Sequence, residues 1–496
     1  MAFATPFFQC FKTLLFGKPP VSSLKKAMAA LPKIASLAEL RQLFGSYFPA
    51  ALLAQNSCGH NSRQRIFSLE VTFWAFLDQV LTPQGPCREA VRKIMAWHRF
   101  ENPSGPIGDM SADTSAYCQA RLRLPVQTIK DINAHLVARL QANTPTDALW
   151  QGRRVKLVDG TGISMPDTAA NQAFYPQTKS QKPGCGFPLM NLVGIFCMNS
   201  GALLHVAHGG RRTHETKLLA SLWDTVEKGD LLVTDRGFCS FGAAAALYAR
   251  GADVLMRLTE RRCRQAIGSQ LPKSGDCDLL ITWKRPSQPP PAMSPQEFES
   301  LPENLTVRIV RMDVSRRGFR TQSITLVTTL TDPAITAQEL AALYLRRWEI
   351  ELHFREIKVP LNMDILRCKT PEMIDRELLM HLVAYNLVRT LMQASAAAHG
   401  ADLRRLSFKG TLDTVRHFAN AAHAAKGKPR TLEALIQEML MAVAKDPNPH
   451  RPGRSEPRVI KRRRKNYRLL TKPRREMGRL PHRKIGRETN PKTALT

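Results

Sequence analysis

Near residue 150 the recurrence of apolar residues changes from every third or fourth position to every second. That switch restricts the chain to a helical region followed by an α/β domain. Upstream, residues 65–81, 86–100, 111–124 and 126–142 carry the helical spacing, with Ser111 as the expected N-cap of the third helix and Asp113 in its first turn. The Pro- and Gly-containing stretch 101–108 separates the second helix from the third. Downstream, 154–162 reads as a strand running into a Gly-rich turn. Strands at 190–198 and 203–207, a helix over about 214–226, a strand over 229–235, a helix over 241–249 and a strand over 253–258 follow. Such an order predicts one mixed sheet with helices on its faces. Residues 259–322 turn to short polar strands and a Pro-rich loop, which we read as a β-rich insertion. A buried strand returns at 323–330, and helices are expected from about Thr336 and over 372–397, 406–424 and 431–444.

Two of the apolar strands lead into aspartates, Asp159 and Asp235. The carboxyl ends of strands are where open α/β sheets bind ligands. Each residue also has an ordinary reading, Asp159 as an Asp-Gly turn and Asp235 as a helix cap.

A third acidic candidate lies in the stretch 343–358. On a helical wheel with Tyr344 at zero, Arg347 falls at about −60°, Glu351 at about −20° and Lys358 at about −40°. Four polar groups therefore share one stripe, while Glu349 and Glu356, at roughly 120° to 140°, face elsewhere. Alanine at either of those two is expected to leave the chemistry largely intact. A carboxylate flanked by a phenol, a guanidinium and an ammonium suits a divalent metal with a phosphate. The same residues on a salt-bridged surface helix would do nothing more, and partner carboxylates decide between the two.

Phosphoryl transfer needs an activated oxygen nucleophile, an in-line leaving oxygen and neutralised phosphate charge, which two divalent cations about 3.5–4 Å apart can supply. Mg²⁺ or Mn²⁺ takes hard oxygen ligands, so Asp159, Asp235 and Glu351 form one plausible ligand set for two ions. The net charge of +31 points to a polyanionic partner, nucleic acid first. Residues 451–488 alone hold 16 Lys and Arg against 3 acids, a tail that binds phosphates without reading sequence. Ten cysteines without a Cys-x-x-Cys pair argue against a disulfide framework or a structural zinc and for a reducing cytosol. No apolar run approaches the roughly 18 residues of a membrane span, and residues 1–16 read as an amphipathic arm, not a signal peptide. Two further segments carry open alternatives. Trp283 could stack on an extruded base or be a core residue on a strand. Residues 115–123, with Tyr117, Arg121 and Arg123, could lie on DNA or pack with arginines at the rim.

With these residues in place, the chain resembles a known family. Tyr344, Arg347, Glu351 and Lys358 match at every spacing the Tyr-Arg-Glu-Lys signature of bacterial DDE insertion-sequence transposases, the group called family four. Asp159 before Gly160 and Thr161, and Asp235 before Arg236, Gly237 and Phe238, resemble its two catalytic aspartates. The resemblance runs from about residue 100 to 475, including residues 115–125 and the segment from Glu456 to Arg474. It implies a ribonuclease-H-like core interrupted by a β-insertion, with Asp159, Asp235 and Glu351 as catalytic metal ligands. It also implies metal-dependent nicking at inverted-repeat ends, a hairpin in some members, and strand transfer into target DNA. By the same likeness Tyr344, Arg347 and Lys358 would hold phosphates beside the cleaved end; Arg236 and Trp283 are further candidate DNA contacts read from the chain itself. A dimer in the synaptic complex and a cytoplasmic, nucleoid-associated location follow from the same likeness. The expected segments are an arm (1–35), a helical DNA-binding domain (36–148), a core in two parts (149–258 and 323–370) around the insertion (259–322), a helical region (371–446) and a basic tail (447–496). A nuclease of the same fold without strand transfer, or a non-catalytic DNA-binding descendant, remain alternatives.

Overall fold

The computed structural model describes residues 44–54, 65–82, 85–102, 104–105, 110–259, 276–290, 292–314, 322–424, 428–449, 472–473 and 476. The expected arm at 1–35, the tail from 451 except Lys472, Pro473 and Glu476, and the parts 260–275 and 315–321 of the insertion lie outside the described residues. The chain divides into two compact units. One takes in the described residues up to Thr128 together with Ala394–Pro447, and the other runs from Ile129 to Gln393 with the described residues from Asn448. The divisions fall inside two helices, not at the expected boundaries near 148 and 371.

The first unit is helical. Helices α1 (Leu69–Leu81), α2 (Cys87–Glu101) and α3 (Ser115–Arg123) lie close to the expected spans. Ser68 caps α1, its hydroxyl accepting from the Val71 amide at 3.2 Å. Ser111 does not cap α3. Its hydroxyl accepts from the Asp113 amide, and Asp113 in turn accepts from the Ser115 amide at 2.6 Å, so two successive turns use up the polar side chains before the helix begins. Of the two readings of α3, packing is the observed one. Tyr117 is fully buried and donates to Gln79 Oε1 at 3.0 Å, and Arg121 is buried with its guanidinium 4.9 Å from the Phe76 ring centre.

The second unit is built on one mixed sheet. After α4 (Val126–Ala142) come β1 (Arg154–Ser164), α5 (Ala169–Phe174), β2 (Leu189–Cys197), β3 (Leu203–Gly210), α6 (Glu215–Ala220), β4 (Asp230–Thr234), α7 (Phe241–Ala249) and β5 (Asp253–Arg257). Next are β6 (Cys277–Lys284), α8 (Pro295–Glu299), β7 (Asn304–Val314), β8 (Gln322–Thr328), α9 (Ala337–Leu345), α10 (Glu349–Lys358) and α11 (Pro371–His399). Helices α12 (Phe408–Ala424) and α13 (Pro429–Ala444) return to the first unit. Among the described residues the eight strands lie in the order β3-β2-β1-β4-β5-β8-β7-β6. β1, β4 and β5 are parallel, and the remaining neighbours are antiparallel. The apolar runs of β2 and β4 are buried along most of their length, as strands covered on both faces should be.

The described strands of the insertion extend this sheet instead of forming a separate layer, β7 pairing with β8 and β6 with β7. Trp283 on β6 is consequently a core residue: it is 8% exposed, with its ring edge-on to Phe241 at 5.8 Å. This corrects the expectation that it contacts DNA, because a ring packed on α7 cannot receive an extruded base. Among the described residues, no helix is long and apolar enough to cross a membrane.

Candidate active site

Strand register brings the two aspartates together. The last registered pair of parallel β1 and β4 is Val158 with Thr234, so the next residue on each strand is an aspartate. β4 stops there, and Asp235 Oδ1 accepts from the Gly237 amide at 2.8 Å in the turn that follows. β1 continues, because β2 pairs with it as far as Ser164. The expected Gly-rich turn at Gly160 and Gly162 is therefore extended strand, and Asp159 stands within β1 instead of at its end. Gly160 serves close packing: a Cβ there would lie 2.6 Å from the Glu215 carboxylate. By the two-residue period of a strand, Asp159 projects from the sheet face opposite Val158, which packs in the core with α6 and α7 residues.

Helices α9 and α10 cover that opposite face. A capping box starts α9, with the Thr336 hydroxyl accepting from the Glu339 amide at 3.2 Å and Glu339 accepting from Thr336. The expected unbroken helix over 343–358 is interrupted by a 3₁₀ turn at Arg346–Trp348. Arg346 donates to Glu349 at 2.8 Å across this break, which takes Glu349 away from the aspartates. The polar stripe survives the break. Arg347 Nη1 donates to Asp159 Oδ2 at 3.2 Å, and Nη2 lies 3.5 Å from Glu351 Oε1. The guanidinium carbon is 6.0 Å from the centre of the Tyr344 ring and 5.3 Å from that of Trp348. Lys358 lies further along β1, its ammonium donating to the Gly162 carbonyl at 2.9 Å.

A cavity of about 620 Å³ opens beside Arg347, lined by Asp235, Arg236, Arg257, Ser323, Tyr344 and Trp348. Arg257, Ser323 and Trp348 are lining residues that the sequence reading missed. Arg257 had a usable signal, since it ends β5, the parallel neighbour of β4, and so reaches the same sheet edge as Asp235. Ser323 had none, because β8 reaches this edge only through antiparallel pairing.

The Asp159 carboxyl is pushed up to about 6. Burial is the largest cause, the Gly160 amide and the Arg347 charge oppose it, and the charges of Asp235 and Glu351 add to it. Asp235 and Glu351 thus both act on Asp159 through space, and all three carboxylates are hard oxygen donors of the kind Mg²⁺ and Mn²⁺ prefer. They do not meet at a single point. Among the described residues no three His, Cys, Asp or Glu side chains converge to hold an ion, and the Arg347 guanidinium bridges Asp159 and Glu351. The donor set fits a divalent cation in chemical type, with an internal cation already offsetting part of its repulsion.

Residues 150–387, which span β1 to α11, match the family described as the transposase DDE domain. The chain is 27% identical over 406 residues to transposase InsG for insertion sequence element IS4 of Escherichia coli (strain K12), covering 81% of this chain and 87% of that protein. It is 25% identical over 338 residues to the Escherichia coli transposase for insertion sequence element IS421, covering 62% and 81%. With the putative transposase InsL for element IS186A of the same organism it shares 24% identity over 343 residues, covering 63% and 83%.

Proposed function

We propose that this chain, a bacterial insertion-sequence DDE transposase, cuts and joins DNA at a centre formed by Asp159, Asp235 and Glu351. The observation that carries the assignment is the Val158–Thr234 register, which puts two aspartates side by side under the helix that bears Glu351. The order β3-β2-β1-β4-β5, with only β2 running antiparallel to both its neighbours, supports a ribonuclease-H-like core extended by β8, β7 and β6.

Asp159, Asp235 and Glu351 would hold Mg²⁺ or Mn²⁺, two ions per site, and bound metal supplies charge neutralisation and an activated water or 3′-hydroxyl. The protein's own cations handle the phosphate. The planar Arg347 guanidinium can exchange carboxylate oxygens for phosphate oxygens with the same bidentate geometry. Lys358 uses one N–H on the Gly162 carbonyl and keeps two for a phosphate further along β1. Tyr344, Arg236 and Arg257 face the cavity in which the strand beyond the cleaved bond would lie. Inverted-repeat ends and target DNA are the substrates, and a dimer holds two ends in one synaptic complex.

Incubation with duplexes carrying the element's ends, target DNA and Mg²⁺ tests this reading. Joined products are expected. Nicks without joining would leave only a nuclease, and retardation without cleavage would overturn the catalytic assignment.

A further inference from the structure

The face of α10 turned away from Asp159 carries a buried polar cluster. Glu356, little exposed, lies with Oε2 3.2 Å from His353 Nδ1 and 3.9 Å from Arg389 Nη1. Arg389, on α11, donates from Nε and Nη2 to the Ser200 carbonyl at 3.0 and 2.6 Å. Tyr385, one turn earlier on α11, donates to the Gly201 carbonyl at 2.7 Å and also reaches Glu356. The His353 ring stacks on Phe196 of β2, 5.5 Å apart and 17° from parallel. Gly201 has a φ of +68°, and a Cβ there would collide with the Arg389 guanidinium and the His353 ring. One carboxylate thus ties α10 to α11 and to the turn between β2 and β3.

Such a cluster is a costly way to fill a core. Burying two opposite charges costs about as much as their attraction returns, and apolar side chains of equal volume hold helices together as well or better. What the polar arrangement adds is direction, because its hydrogen bonds are satisfied at only one rotation of α10. Five residues separate Glu356 from Glu351, about 140° around the helix, so fixing one side chain fixes where the other points.

We infer that Glu356 is a positioning residue: through His353, Arg389 and Tyr385 it sets the rotation of α10 and thereby holds Glu351 and Arg347 against Asp159. Such a role departs from the expectation that Glu356 can be truncated without effect: the carboxylate does face away from Glu351, but it is little exposed and paired.

The inference rests on the proposed catalytic role of Glu351, and the test separates the two. In the full chain, Mn²⁺ affinity by calorimetry, thermal melting, and kcat and KM for cleavage of end DNA are compared for Glu351→Gln, Glu356→Gln, Glu356→Asp and the double variant Glu356→Met with Arg389→Met. The double variant removes both charges together and keeps the core filled should Glu356→Gln fold poorly. Expected for Glu356→Gln and the double variant are melting within a few degrees of the parent, Mn²⁺ affinity and kcat lower by about 10- to 100-fold, and an unchanged KM. Glu356→Asp, which keeps the charge, should recover part of the loss. Folded Glu356 variants with parental Mn²⁺ affinity and kcat, beside a defective Glu351→Gln, would overturn the positioning role alone. An unaffected Glu351→Gln would overturn the catalytic assignment and the positioning role with it.

Discussion

Arg347 and Asp159, 188 residues apart in sequence, meet at 3.2 Å, and the same guanidinium reaches Glu351 at 3.5 Å. A positive charge thus occupies the angle between two carboxylates, of which Asp159 also feels Asp235. Arg347→Ala should raise the Asp159 pKa above about 6 in the metal-free protein. Carboxyl titration followed by infrared or NMR spectroscopy checks this, and an unchanged or lower value contradicts the bridge.

The raised Asp159 pKa has a consequence for stability. The folded carboxyl keeps its proton up to about pH 6, whereas the unfolded one loses it near 3.8. The native state therefore binds more protons in that window, and this group's contribution to stability falls as pH rises through it. Asp159→Asn should be more stable than the parent at pH 7 with chelator present. The gain is on the order of 1 kcal/mol after allowance for solvent screening. Equal melting temperatures of the two at pH 7 would show that Asp159 is not destabilised by its surroundings.

Trp283 should matter for folding and not for DNA. Trp283→Ala removes a ring packed on Phe241 and should cost about 3–5 kcal/mol. The less disruptive Trp283→Phe should bind end DNA as the parent does. A DNA-binding defect in a stably folded Trp283→Phe would return this residue to the interface.

Glu349 is the remaining control on α10. It is paired with Arg346 in an i,i+3 ion pair, so Glu349→Ala should cost no more than about 1 kcal/mol and leave cleavage near the parental rate. A loss as complete as that of Glu351→Ala would contradict the division of faces.

Sequence pattern alone located most of this architecture, because strand period and strand-terminal aspartates are local signals. Six strands of the sheet were readable from their own apolar pattern, and the carboxylates Asp159, Asp235 and Glu351 from residues 154–162, 229–235 and 343–358. What was not readable depended on distant partners. β1 runs past Asp159 only because β2 pairs with it, and Trp283 is buried only because β6 joins the sheet edge beside α7. The wheel showed only that Glu356 faces away from Glu351, and its partners Arg389 and Tyr385 come from α11, more than 25 residues further on. The 3₁₀ turn at Arg346–Trp348 left no mark on a helical wheel, yet it shifts Glu349 onto Arg346 while keeping Arg347 between Asp159 and Glu351.

The central claim is that Asp159, Asp235 and Glu351 serve one metal-binding centre, and calorimetric titration of Mn²⁺ into the parent and into Asp159→Asn, Asp235→Asn and Glu351→Gln tests it most directly. The account predicts that each single substitution weakens Mn²⁺ binding and that each abolishes cleavage and joining of end DNA while DNA retardation persists. Binding of Mn²⁺ to Asp235→Asn with parental stoichiometry and affinity would contradict it.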